Sequence, residues 1–268
     1  MPPHLSADEK HTRFRRLKSY LAVTAAKGCI LGSQLCKSAG YEALRQGYGI
    51  FTQEVRQHVP GYRPKSVTVD GWEATHQAWT ALFPGIIWIL CFLHEVIKLR
   101  DLCRSNAPLW QVLADKLWHV YKGASKREFA QRLRRFLEWA NQQDLRDSIA
   151  GRIQRLRSKS HHFQRAYAVE GAPRTSNAVD RPMNYLDRAL FSMQYFHGSW
   201  ESAVQSGRAM AVLWNFHPFC RKTQQQTGCL CPFEQLNGFR YHDNWLRNYL
   251  IASSLNGRRP LTSEPHTK

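Results

Sequence analysis

Between Ser66 and His94 the chain reads SVTVDGWEATHQAWTALFPGIIWILCFLH, and this run limits the possible folds more than any other. Val67-Thr68-Val69 is a short β-branched strand that ends on Asp70-Gly71. Trp72, Trp79, Leu82 and Phe83 then recur on one helical face, Pro84-Gly85 stops that helix, and Ile86 to Cys91 is a continuous apolar run of strand length. Strand, helix, strand at this spacing is a βαβ unit, which demands two parallel strands with a helix laid over one face. An acid at the carboxyl end of a buried strand stands where open α/β sheets place their chemistry, although it serves equally as a helix cap.

Upstream, Ala7-Asp8-Glu9-Lys10-His11-Thr12, Lys18 to Thr24 and Cys29 to Gly32 read as three strands, separated by a basic turn at Arg13 to Leu17 and by Lys27-Gly28. Short strands joined by turns make an antiparallel meander. Asp8 and Glu9 would point to opposite faces of the first strand. Taken alone, this hexapeptide fits a solvated turn better than a ligand-bearing strand. The 62 residues from Asp8 to Asp70 are enough for three strands and a helix. That helix spans Lys37 to Gln57, with Leu44, Tyr48, Phe51 and Val55 covering the sheet and an interruption expected near Gly47 and Gly49. His58 to Pro64 is the loop back into the Asp70 strand.

Beyond His94 the periodicity is helical only. Asn106-Ala107-Pro108 breaks a helix that runs to Arg104; Leu109 to Val120, Phe129 to Ala140 and Ile149 to Leu156 mark three more. Arg100 to Arg165 holds 15 Lys plus Arg against 6 Asp plus Glu, an excess of 9 in a chain whose net charge is +18. Such an excess favours a polyanionic partner, nucleic acid first, although solvated basic faces, an anionic membrane surface or ribosomal RNA fit the same composition. The seven cysteines are odd in number and irregularly spaced, the amino terminus lacks a signal-peptide core, and Gly85 to Leu93 falls short of the ~20 residues of a membrane span. These point to a soluble cytoplasmic protein with no membrane partner. His217, Cys220, Cys229 and Cys231 have zinc-ligand chemistry but match no common knuckle spacing.

Thr175 to Pro182 opens a further helix, capped by Ser176 or Asn177, with Pro182 in its first turn and Met183, Leu186, Leu190 and Met193 as its buried stripe. Asp180 in that first turn is favoured by the helix dipole whatever else it does. Trp200 to Trp214 is helical, Leu236 to Leu246 leads into a last helix, and 256–268 reads as a frayed tail.

Asp70-Gly71-Trp72, Leu82-Phe83-Pro84, Cys91-Phe92-Leu93-His94 and Asn177-Ala178-Val179-Asp180-Arg181 together resemble the catalytic domain of DDE transposases, in particular the Mutator-like group and its bacterial insertion-sequence relatives. The resemblance implies an α/β fold: a ribonuclease H-like mixed sheet (1–99 and 171–250), an all-helical insertion between the second and third acids (100–170) and a tail (251–268). It implies that Asp8, Asp70 and Asp180 are catalytic and hold two Mg2+ or Mn2+ ions. Arg181, together with the Cys-x-x-His pair Cys91 and His94, would contact DNA, while Asp187, seven residues beyond Asp180 and about 10 Å along the helix, is expected to pair with a nearby arginine. The implied partner is double-stranded DNA, both element ends and target, bound by a homo-oligomer associated with a bacterial nucleoid. Several features depart from that family. The third acid is Asp where Glu is commoner, Arg16-Leu17 stands where a hairpin glycine is expected, and Pro182 replaces an apolar residue. Seven residues precede Asp8, so a copy truncated at its amino terminus is expected. The alternatives are a catalytically silent remnant or DNA-binding module, and a ribonuclease H-like nuclease that cuts without joining ends.

Overall fold

The computed structural model describes residues 1–259; the end of the expected tail, from 260 onward, lies outside them. Strands β1 (His4–Phe14), β2 (Leu17–Ala26) and β3 (Cys29–Cys36) form the antiparallel meander. β4 (Ser66–Val69) joins β1 in parallel and β5 (Ile87–Leu90) joins β4 in parallel, giving one mixed sheet in the order β3-β2-β1-β4-β5. The architecture is therefore α/β. The first hairpin is tighter than expected: Arg13 still pairs with Lys18, and only Arg15 and Arg16 turn the chain. Both take positive φ, 47° and 69°, the backbone of a two-residue hairpin that ordinarily selects glycine or asparagine. Docking replaces the missing glycine, because Arg15 donates its backbone N–H to Phe196 O and its Nε–H to Gly198 O.

Register explains the 62-residue spacing. Ser6 stands opposite Thr68 at an offset of 62, and two residues further along the same offset aligns Asp8 with Asp70. Parallel neighbours lie about 4.8 Å apart. β4 has ended by then while β1 continues, so Asp70 sits at a strand tip beside Asp8 in mid-strand.

Helices α1 (Tyr41–His58) and α2 (Glu73–Leu82) cover one face, burying Leu44, Tyr48, Phe51 and Trp79 against Leu5, Ala7, Val67 and Val69. α1 runs unbroken through Gly47 and Gly49, contrary to the expected interruption. A β-carbon on Gly47 would fall 2.5 Å from Cys36 Sγ, so this glycine marks close helix-to-sheet approach and no break. Trp72 does not join the buried face of α2: it precedes the helix and is half exposed.

α3 (Phe92–Leu102) leads into α4 (Ala107–Tyr121), α5 (Lys126–Asn141), α6 (Asp147–Ser158), α7 (Ser160–Gln164) and a 3-10 turn at Arg165–Ala168. Phe92, Val96 and Leu99 of α3 are buried with Leu113, Leu117, Phe129, Leu133, Phe136, Ile149 and Ile153 in a core of their own. Glu95 of α3 and Arg152 of α6 form a buried ion pair across it, 2.6 Å apart. On the second face of the sheet, α8 (Asn177–Ser192) packs Val179, Met183, Leu186 and Leu190 against Leu21, Val23 and Ala25. Pro182 lies in the second turn of α8, beyond the first turn expected for it, and Met193 ends the helix largely exposed outside the stripe. α9 (Trp200–Phe216), two short helices α10 (Arg221–Thr227) and α11 (Pro232–Asn237), and α12 (Trp245–Ser254) complete the described chain. No helix among the described residues is long and apolar enough to cross a membrane.

Candidate functional site

Strand alternation sends Leu5, Ala7 and Glu9 toward α1 and α2 and turns Asp8 toward α8. Glu9 is satisfied there, accepting from Tyr48 Oη at 2.5 Å and Thr75 Oγ1 at 2.6 Å; burial, against those two bonds, pushes its carboxyl up to about 7. On the other face Asp8 meets Asp180 of α8 and His94 of α3, with one ligand atom from each lying within 4.8 Å of the others. Among the described residues this is the one His/Cys/Asp/Glu group compact enough to hold an ion, and His217, Cys220, Cys229 and Cys231 do not form another.

Asp70 is close by but outside that group. Its Oδ1 accepts the Trp72 N–H at 2.9 Å, an Asx turn at the start of α2. Its charge nonetheless reaches the cluster. Burial first, and then the charges of Asp70 and Asp180, raise the Asp8 carboxyl to about 6 against the opposing His94 and Glu9 N–H. Burial would lower His94, but the hydrogen bond and charge of Cys91 and the charges of Asp8 and Asp70 outweigh it and carry the imidazole up to about 9.

Cys91 has no exposed surface with which to meet DNA, so the contact expected of it is corrected by its burial. Its Sγ accepts from the Ser176 N–H and hydroxyl, both at 3.2 Å. Ser176 Oγ also lies 3.2 Å from Asp180 Oδ1 and 3.5 Å from His94 Nδ1, tying the start of α8 to the start of α3. Burial opposes ionisation of the Cys91 thiol, yet His94 and Ser176 together hold it below the usual thiol range. His94, which the sequence places near Asp70 as half of the Cys-x-x-His pair, lies within the compact group. Ser176 carried only a capping expectation, and its side chain makes no cap bond. Arg181 is exposed beside Asp180 and lines an open groove with Asn184, Arg188 and Trp214. Asp187 pairs with Lys10 Nζ at 2.7 Å, where an arginine was expected.

No protein-family model matches this chain. No curated protein matches it. Among solved structures, the magnesium-bound catalytic core domain of HTLV-2 integrase, in a trimeric form, aligns over 45% of this chain and 86% of its own at 15% identity and a TM-score of 0.28.

Proposed function

We propose that this chain is a DDE-type transposase of the Mutator-like and bacterial insertion-sequence kind, which cuts DNA phosphodiesters and joins the freed ends to a target. The observation that carries this reading is the convergence of Asp8 and Asp180, 172 residues apart in sequence, in one compact group with His94 while Asp70 stands in register beside Asp8. Carboxylates repel one another, and a cluster of them beside an imidazole suits a divalent cation such as Mg2+ or Mn2+. Asp8 and Asp180 would hold it, with Asp70 and the His94 imidazole at its margin. Bound there, a pair of such ions supplies activation of an attacking oxygen and relief of charge on the leaving one. The chain's own groups do the rest. Before a cation binds, the His94 imidazole, carried up to about 9 by Cys91, Asp8 and Asp70, offsets the repulsion among the acids. Ser176 and Cys91 fix its ring from behind. Arg181 and the basic faces of α4 to α6 hold backbone phosphates, which fix DNA without reading its sequence.

On this reading 1–99 and 171–250 form one ribonuclease H-like core, 100–170 is the helical insertion, 251–268 is a tail, and a homo-oligomer assembles on DNA at a bacterial nucleoid. The deciding experiment incubates the protein with duplex DNA bearing candidate terminal repeats, with and without Mg2+ or Mn2+. Metal-dependent cutting and a strand-joined product are expected, both abolished by Asp8→Asn and by Asp70→Asn. Cutting without joining assigns a simple nuclease. Binding without cutting assigns the second reading, a silent remnant or DNA-binding module; that reading is favoured by the Asp70 carboxylate, which is engaged with the Trp72 N–H outside the compact group.

A further inference from the structure

Lys159 caps the carboxyl end of α6 and so belongs to the basic helical segment, yet its ammonium reaches back to the sheet. Its Nζ lies 3.8 Å from the point where a β-carbon on Gly71 would fall. Gly71 has a φ of +92°, and a β-carbon there would meet Leu90 Cδ1 at 2.5 Å, so residue 71 must stay bare. The bare backbone leaves Lys159 beside the Asp70-Gly71 tip. No carboxylate among the described residues lies within salt-bridge reach of this lysine, Asp70 included. A partly buried ammonium with no carboxylate partner, next to an acid cluster but not paired with it, is arranged for an anion that comes from outside.

The surroundings are cationic as well. His162 stacks on Trp88 with ring centres 3.9 Å apart, the Arg165 guanidinium lies 4.7 Å over the same indole, and His76 packs against it at 4.1 Å. Burial and then the charges of His161, Arg165, His76 and Lys159 hold His162 down at about 4. His162 Nδ1 is itself buried with no hydrogen-bond partner. Trp72, half exposed, follows Gly71 at once and adds an apolar surface at the same edge.

We propose that Lys159 is a DNA-phosphate ligand, which the basic helical segment delivers to the Asp70-Gly71 tip so that the strand backbone is seated beside the carboxylate cluster. The inference rests on the DNA-processing reading above and adds to it the contact through which the helical segment serves the site. One lysine neutralising one phosphate releases one counterion, so the logarithm of affinity against the logarithm of salt should lose a slope of about 0.9 when that charge is removed.

The test uses the whole chain and a blunt duplex oligonucleotide, with fluorescence anisotropy followed across a KCl series in Ca2+ buffer. Lys159→Gln should lower the slope by about 0.9, with an unchanged unfolding midpoint, while Lys159→Arg restores it. Should the Gln variant lose cooperative unfolding, Lys159→Met replaces it. A wild-type slope in the neutral variant, or no recovery with Arg, overturns the assignment. Absence of DNA binding by the wild-type protein overturns it together with the functional reading. Binding without metal-dependent cutting sinks the transposase reading alone, and Lys159 then stands or falls on its slope.

Discussion

Glu95→Ala should destabilise this protein more than any surface charge change of the same sign. The Glu95 side chain is 2% exposed and that of Arg152 15%, and their nearest atoms approach to 2.6 Å without aligned hydrogen bonds, so the contact leans on charge. Removing one partner of such a pair strands the other in a poorly solvated site, at a cost of about 3–5 kcal/mol. With a urea slope of about 2 kcal/mol per molar, the midpoint should fall by roughly 1.5–2.5 M. Glu138→Ala makes the same change in net charge in the Arg134–Glu138 pair, which is 3.4 Å apart with side chains 73% and 61% exposed. That control should move stability by no more than about 1 kcal/mol. Replacing both buried partners, as in Glu95→Met with Arg152→Leu, should recover most of the loss because no uncompensated charge remains. Because the pair spans α3 and α6, its loss should also loosen the helical segment from the sheet, visible as a transition split between near-ultraviolet and far-ultraviolet circular dichroism. Equal midpoint shifts in Glu95→Ala and Glu138→Ala would refute the reasoning.

Gly47→Ala should lower the thermal midpoint despite the ~1 kcal/mol helix-propensity gain of alanine, since its β-carbon would lie 2.5 Å from the buried Cys36 Sγ and overpacking of this kind costs about 1–3 kcal/mol. Cys36→Ala in the same background should give much of the midpoint back, and a variant as stable as wild type would show that the helix lifts freely. His162, held by burial and its cationic neighbours at about 4 against an ordinary 6.5, binds fewer protons folded than unfolded between those values. Its own contribution to stability should therefore rise with pH across that window and be lost as pH falls from 6.5 toward 4, against the raised Asp8 and Glu9 carboxyls, whose contributions run the other way. His162→Phe, which keeps a ring on Trp88, should remove that rising component, so that stability measured by urea unfolding falls more steeply with pH between 4 and 6.5 than in the wild-type protein; an unchanged slope would place the titration elsewhere.

The parts of the fold legible in sequence were those with a local cause. The βαβ unit carries its period and its stops within Ser66 to His94, and the 62-residue spacing of Asp8 and Asp70 reappears as the strand register. Tertiary causes were not legible. Gly47 reads as a helix breaker by propensity and is tolerated because Cys36 needs the room. The place of His94 depends on Ser176, 82 residues away, bridging the starts of two helices. A Cys-x-x-His spacing gives the two residues but not the direction in which they turn. α10 buries no residue at all, so no apolar period announces it. Asp187 found Lys10 instead of an arginine because the partner is set by the strand under α8, not by the helix sequence.

What brings Asp8 and Asp180 together is the seating of α8 along β1. Two contacts define that seating: Asp8 with Asp180, and, two residues on along the strand and seven along the helix, Lys10 with Asp187. By rise per residue these steps are about 7 Å of strand and about 10 Å of helix, a mismatch a lysine side chain can span. The two contacts have opposite signs. Raising Asp8 to about 6 corresponds to an unfavourable term of roughly 3 kcal/mol, most of it burial and part of it Asp70 and Asp180. The Lys10–Asp187 pair is open to water and contributes about 1 kcal/mol at most. Val179, Met183, Leu186 and Leu190, all buried on the same helix, contribute up to about 6–12 kcal/mol together. The apolar stripe therefore decides the position of α8, and the ion pair only sets where along β1 it rests. It follows that polar substitution at Leu186 should separate the acids without touching either one, whereas Lys10→Ala should leave them in place.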